Sequence, residues 1–539
     1  MCASGESLKS TLSSPTDESA PRRMATLTVL SLLLYGTDAF VAPWKPPPPL
    51  ISRHGVAKMS SAAAVSAAPE VNERKSMIHA AALGVGTACM GTAYAKCLKT
   101  SVSTVWTKLP AAISLADPTL FIPMACTLGG LIVGLTAVNL KGYTMPELIG
   151  AQQSTSEAPG GDMPSKFIAP VLLLSLLTST FGFSVGPEAP MVVAGSLVGS
   201  AYGARVWGAS AHKMRRIMAY TGAAGALTTF IGMPLAGAIF VLEITRASSG
   251  LNPEAYEALT PAVVSSCASM LMASCLLKPA SALGGHFTYD AIGSALTGRP
   301  FGAIALAAGL GGALLGRIFV AAVSALKKPM WPQAPAQESC EVDRRWACGP
   351  KTRHVLVKTC VGLLVGILSR YFPQTLFWGE GSLQHVLDGQ RTALAAVWPG
   401  LSEPLTAHAI ADVTKPFATA SAALAVGAAK LCAIALACAG GFPGGIIFPL
   451  FFASAAVAHG FAALMPASLM PVWVMSLMAA TQASVTRTPL ATVFMLGLSA
   501  SASSQLSVLL PPVIIASYTG VWFSSVLSTQ TFFTYKRAD

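Results

Sequence analysis

Between residues 78 and 527 the chain is a succession of apolar stretches, most of them short or interrupted by glycine or proline. They fall at 78–97, 118–140, 168–182, 190–207, 217–231, 234–246, 259–277, 301–326, 354–369, 417–439, 446–464, 470–482, 489–500 and 506–527. A straight helix crossing a bilayer needs about 20 apolar residues, and several of these stretches fall short. Inside a bilayer every backbone polar group must find a partner within the protein, so broken helices survive there only where they line an enclosed cavity. Breaks at corresponding places in two halves of a chain point to a central binding site between inverted repeats. Composition agrees. Of 539 residues, 53% are hydrophobic and only 11% are charged, against about 25% charged in soluble domains, and mean hydropathy is +0.60. A soluble enzyme, a disordered regulator and a collagen-like fibre are excluded. The expected fold is an all-α, multi-pass membrane protein with broken, tilted helices in two inverted-topology halves.

The net charge of +12 raises the question of nucleic acid. The basic residues sit between apolar runs rather than on one face, so membrane flanks and an anionic ligand account for them better. The eleven cysteines include no C-x-x-C pair. Most lie in apolar runs, where cysteine behaves as a small hydrophobe. Cys340 and Cys348 share one polar loop and are placed to pair. Neither a metal nor an organic cofactor is expected.

Residues 1–76 read as a targeting presequence and linker, 77–535 as the membrane domain and 536–539 as a short tail. Arg22 and Arg23 precede a short apolar core, Thr26 to Tyr35, which is too short to span a bilayer and has the form of a signal peptide. A Pro-, Ser- and Ala-rich stretch follows, carrying Lys45, Arg53 and Lys58 with no acid before Glu70. With Ala39-Phe40 and Pro43 at the junction, this resembles the two-part plastid-targeting presequence of algae with secondary plastids. The alternative is a plain secretory signal followed by a linker, with an endomembrane or plasma-membrane location.

Three glycine-proline breaks stand before or at the start of apolar runs: Gly142 to Glu147, Ser184 to Pro190, and Gly441 to Pro449. Proline is best tolerated in the first turn of a helix, and glycine lets backbone approach a ligand closely. Each break therefore reads as a helix N-terminus presenting amides. Such ends attract anions through their N–H groups and the positive end of the helix dipole. Several converging at mid-membrane hold a halide without a full positive charge, which would bind too tightly for conduction. Glu188 is the only acid between Asp162 and Glu243. An intramembrane carboxylate is a functional hypothesis by default. At a helix N-terminus its side chain occupies an anion position, and protonation releases it.

These residues resemble the CLC family of chloride channels and chloride/proton exchangers. Gly186-Pro187-Glu188-Ala189-Pro190 is similar to the family's G-[KR]-E-G-P motif. Thr221-Gly222-Ala223-Ala224 with Pro234 to Glu243 resembles its T-G-A-A…P-L-A-G-x-x-F-x-x-E helix pair. Lys430-Leu431 with Pro443 to Pro449 resembles K-L…G-x-P-G-G-x-F-x-P, and Gly142 to Glu147 resembles G-S-G-x-P-E. The resemblance implies that Glu188 is a gating glutamate. It also implies that Gly445, Ile446, Ile447 and Phe448 form an anion-coordinating helix start, with Gly186, Pro187 and Ala189 beside it. Tyr535, or Phe533, falls where the family has a pore tyrosine. The implied assembly is a homodimer with one pore per subunit, embedded in lipid and passing chloride and related anions, with protons as a second possible cargo. Three departures matter. Tyr143 stands in place of a central serine, Ala189 in place of glycine, and Ile244 in place of an internal proton-transfer glutamate, next to Glu243. Isoleucine cannot relay a proton, so passive or loosely coupled conduction is expected, with Glu243 or water as a substitute internal proton carrier and chloride/proton antiport as the alternative.

A rival from another class is a multi-pass membrane enzyme, which would need convergent catalytic groups at membrane depth. His79 and His459 are the candidates in apolar runs, the other histidines sitting mostly in loops or at segment ends, and neither has an acid close by in sequence. A non-transporting scaffold would need neither Glu188 nor three glycine-rich breaks.

Overall fold

A computed structural model describes residues 73–113, 118–140, 165–249, 253–276, 301–331, 349–389, 417, 419–500, 506–528 and 532, all within the unit Val71–Asp539. Residues 1–72 of the presequence and linker, the first glycine break with Tyr143, the cysteine pair Cys340 and Cys348, Phe533 and Tyr535 lie outside the described residues, while residues 73–76 already belong to the first helix. Among the described residues, fourteen helices of twelve residues or more occupy the fourteen apolar stretches. They are α1 (Glu73–Ser103), α2 (Pro118–Asn139), α3 (Ile168–Thr180), α4 (Glu188–Trp207), α5 (His212–Ile231), α6 (Pro234–Ser249) and α7 (Leu259–Leu276), followed by α8 (Phe301–Met330), α9 (Pro350–Tyr371), α10 (Ala420–Ala439), α11 (Ile447–His459), α12 (Met470–Thr486), α13 (Pro489–Ala500) and α14 (Leu506–Leu527). Seven of them (α2, α7, α8, α9, α10, α12 and α14) contain segments long and apolar enough to cross a membrane.

The second seven helices repeat the packing of the first seven. Helix α1 packs on α3, α5 and α7, as α8 packs on α10, α12 and α14. Helix α5 packs on α4, α6 and α7, as α12 packs on α11, α13 and α14. The twins α2 and α9 pack on each other, as do α6 and α13. The α2–α9 contact is antiparallel and reciprocal. Gly130 lies against the backbone of Lys358 and Gly362 against that of Cys126, while Gly134 meets Val355 and Gly366 meets Pro123. A contact in which each helix presents the same patch to its own twin is what a twofold axis produces. The halves are thus inverted relative to each other.

Small residues make this close packing possible, as expected where lipid tails remove any hydrophobic drive between helices. Gly195, Gly199 and Gly203 recur every fourth residue on the α4 face that meets α5, and they lie against Gly222, Met218 and Arg215. In the centre, α5 and α12 are buried along most of their length. At the periphery the pattern reverses. On α8, Leu306, Leu310, Leu314 and Ile318 form an exposed apolar stripe, and Leu120, Met124 and Leu128 form one on α2. Those faces suit hydrocarbon rather than water.

The stretch that follows α9, between two of the apolar runs, begins with a buried segment from Pro373. Leu376, Phe377, Trp378, Leu383, Val386 and Leu387 all belong to the core. Lys430 holds this segment in place by donating to the carbonyls of Gln374, Thr375, Leu376 and Phe377. Replacing Gly199 with Leu drives a side chain into the backbone of Met218. It is expected to destabilise the protein by about 3 kcal/mol, read as a lower melting temperature in detergent.

Candidate functional site

The site grows from two twin turns. Helices α3 and α10 each end near a left-handed glycine, Gly182 (φ 80°) and Gly441 (φ 71°). This conformation strains any residue with a Cβ. The chain then reverses through Phe183 and Phe442, whose rings stack with centroids 4.0 Å apart. Three residues further on, Gly186 and Gly445 exchange both backbone hydrogen bonds. The Gly186 N–H donates to Gly445 O at 2.8 Å and the Gly445 N–H to Gly186 O at 2.5 Å. They form an antiparallel bridge outside any sheet. Both pairs are twins, so the dyad relating the halves runs through the ring stack and the glycine bridge.

From that bridge α4 and α11 start side by side. In α4 the first helical bond is from Met191 N–H to Pro187 O, and in α11 it is from Leu450 N–H to Ile446 O. The amides of Glu188 and Ala189 in one half, and of Ile446, Ile447 and Phe448 in the other, therefore precede the helical ladders. The positive ends of two helix dipoles meet here. Pro187, Pro190 and Pro449 sit where a missing N–H does least harm.

Glu188 is 1% exposed. Its side chain lies between the two bridging glycines, and a Cβ on either Gly186 or Gly445 would collide with its carboxylate. A Cβ on Gly445 would also crowd the Ala189 amide nitrogen, at 3.1 Å. The structure thus brings Glu188, Gly186, Pro187 and Ala189 together with Gly445, Ile446 and Ile447. The nearby Ser184 hydroxyl is buried and makes no hydrogen bond to another described residue. Tyr94 of α1 was not singled out from the sequence. Its hydroxyl bonds Ser175 Oγ at 2.9 Å and lies within the electrostatic reach of Glu188. A hydroxyl in an otherwise apolar run was the available signal.

The ends of α3 and α10 are anchored by twin donors. Trp106 Nε1 donates to Thr180 O and Trp331 Nε1 donates to Ala439 O, both at 2.7 Å. One residue further along, Cys126 Sγ donates to Phe181 O at 3.5 Å, and Lys358 Nζ donates to Gly440 O at 3.2 Å and Gly441 O at 2.6 Å. The segment 373–389 joins the same assembly, with Phe377 N–H donating to Gly182 O at 2.9 Å.

Glu243 has a distinct place. Its carboxylate accepts from the amides of Leu490 at 3.0 Å and Ala491 at 2.8 Å, capping the start of α13 from α6. Ile244 beside it is buried among apolar residues. The two histidines weighed for an enzyme are occupied otherwise. His79 Nδ1 bonds the Tyr202 hydroxyl and its ring meets Trp207, while His459 Nε2 bonds Leu387 O. Among the described residues no cluster of His, Cys, Asp and Glu is placed to hold a metal.

Residues 124–525 match the sequence profile of a family described as the voltage-gated chloride channel. The ion-transport protein YfeO of Salmonella schwarzengrund is 26% identical over 376 residues, covering 68% of this chain and 75% of that protein. Among solved structures, a slow cyanobacterial Cl−/H+ antiporter superposes with a TM-score of 0.65 at 17% identity, over 86% of this chain and 97% of the other. A CLC-type fluoride/proton antiporter gives 0.57 at 18% identity, over 85% and 98%. A eukaryotic CLC transporter gives 0.60 at 15% identity, over 86% and 73%.

Two outcomes follow from this geometry. Gly445→Ala is expected to destabilise the protein through its clash with the Glu188 side chain, by about 1–3 kcal/mol. Glu188→Ala should remove most of that penalty, so a double-mutant cycle read by thermal unfolding shows strong coupling. Glu243→Ala strips two amides of their acceptor and is expected to cost about 1–2 kcal/mol, measurable in the same assay.

Proposed function

Because the chain belongs to the voltage-gated chloride channel family, and is therefore an anion channel or transporter rather than an enzyme, we propose that it moves chloride across a membrane past the shared start of α4 and α11. The observation that carries this reading is the burial of Glu188 against Gly445, where two helix N-termini meet. The amides of Ile446, Ile447 and Phe448 hold the anion by dipoles rather than a full charge, so it binds and leaves. The ionised Glu188 side chain competes for the same positive end. Protonation removes its charge and opens the position to chloride. Among the residues outside the described ones, Tyr143 and Tyr535 are proposed to offer hydroxyls to the same anion.

Conduction is passive or loosely coupled to protons. Ile244 has no titratable group, and Glu243 spends both carboxylate oxygens on capping α13. A second reading, chloride/proton antiport, is favoured by two antiporters among the structural neighbours. The setting we propose is a homodimer in a plastid membrane. Support for the location comes from the signal-like core and the Ala39-Phe40…Pro43 junction, and support for the dimer comes from family resemblance.

Purified protein in liposomes, with chloride efflux and external pH recorded together, tests the reading. Wild-type efflux should rise as pH falls, because protonated Glu188 leaves the path. Glu188→Gln should be fast and flat with pH. An unchanged pH response in Glu188→Gln would remove Glu188 from the mechanism. Sustained proton movement against its gradient, driven by chloride, would decide for antiport.

A further inference from the structure

Among the described residues two lysines are fully buried, Lys430 on α10 and Lys358 on α9, each 0% exposed. Burying an ammonium is costly unless carbonyls or an opposite charge replace water, so each calls for a physical account. Lys430 has one in the fold. It is enclosed by four successive carbonyls, at 3.1, 3.4, 3.4 and 2.7 Å, and lies over the Phe452 ring. Those dipoles all face the ammonium and absorb its field, so it acts as a staple for the segment 374–377.

Lys358 differs. Its Nζ has two carbonyls, those of Gly440 and Gly441, and stands 4.4 Å from the centroid of the Phe442 ring. Phe442 belongs to the ring stack at the dyad, three residues before the bridging Gly445. The ion pairs found among the described residues, Lys213–Glu257 and Arg216–Glu254, lie elsewhere and are partly exposed.

The inverted repeat supplies an internal control. Because Gly130 meets Lys358 and Gly362 meets Cys126, Cys126 is the twin of Lys358. Cys126 does the equivalent task in its own half, donating to the Phe181 carbonyl at the end of α3. A weak, neutral thiol donor is enough there. Tying down the end of a helix before the break therefore does not require a charge. The breaks Ser184–Pro190 and Gly441–Pro449 contain no lysine or arginine. The only charged side chain in either break is Glu188, which is negative.

We infer that Lys358 is an affinity-determining residue of the anion path: its ammonium, held by the Gly440 and Gly441 carbonyls beside the Phe442 ring, adds a positive charge to the field of the helix dipoles and raises occupancy of small inorganic anions at the start of α11. The inference rests on the proposed anion passage. It gives the two halves opposite charges across one pocket, with Glu188 competing for the field that Lys358 provides. The ammonium is engaged by two carbonyls and the Phe442 ring, so in this inference it acts on the anion through the field rather than as a direct ligand, which permits release.

The test is initial chloride flux in liposomes as a function of chloride concentration, for the wild type, Lys358→Gln and Lys358→Arg. Glutamine keeps N–H donors for the two carbonyls but removes the charge, and arginine keeps the charge. Lys358→Gln is expected to raise the half-saturating chloride concentration about tenfold, the order of magnitude for removing one nearby charge at an effective dielectric of about 20. Lys358→Arg is expected to stay near the wild type. Should Lys358→Gln fail to fold, Lys358→Met, similar in length and apolar, takes its place. A folded, uncharged variant with unchanged half-saturation overturns the inference, including the case in which only maximal flux falls, which marks a structural role. Absence of chloride flux in the wild type would instead overturn the proposed function.

Discussion

The structure depends on a pair of hydrogen bonds between two glycines. Gly186 and Gly445 exchange N–H and C=O across the dyad, and this fixes where α4 and α11 begin. Four backbone groups that would otherwise be stranded at membrane depth satisfy one another. No side chain is involved, and none fits: a Cβ on either glycine meets Glu188. The exchange thus satisfies the backbone and makes room for the carboxylate at once.

Everything behind the bridge holds that geometry. The stacked Phe183 and Phe442 rings set the separation of the two turns. Trp106 and Trp331 pin the helix ends that lead into them. The reciprocal glycine contacts of α2 and α9 bring the Cys126 and Lys358 donors to equivalent carbonyls. The symmetry is broken where chemistry is needed. Glu188 has Ile447 as its counterpart one helix start away, and Lys358 has Cys126. A strictly symmetric arrangement would carry either two acids or none at these helix starts; here Glu188 faces Ile447.

Much of the fold was legible because lipid imposes simple demands. Apolar stretches had to be helices, and their glycine and proline interruptions had to lie at a protected centre. Glu188 stood out because charge is rare in such runs. The buried segment from Pro373 was not legible. Its short apolar triad Leu376-Phe377-Trp378 sits among polar residues, and its burial depends on Lys430, far away in sequence. Tyr94 and Lys358 were missed for a related reason: each lies in a helix whose local pattern is ordinary, and only packing brings it to the centre. The role of Glu243 as a cap for α13 depends on a contact between halves, which no local pattern encodes.

The central claim is that an anion sits where the starts of α4 and α11 converge. Anomalous scattering from bromide in crystals of the Glu188→Gln protein tests it most directly. The account predicts a peak within hydrogen-bonding distance of the Ile446 and Ile447 amides. Well-ordered crystals showing bromide only elsewhere, or none within the protein, would contradict it.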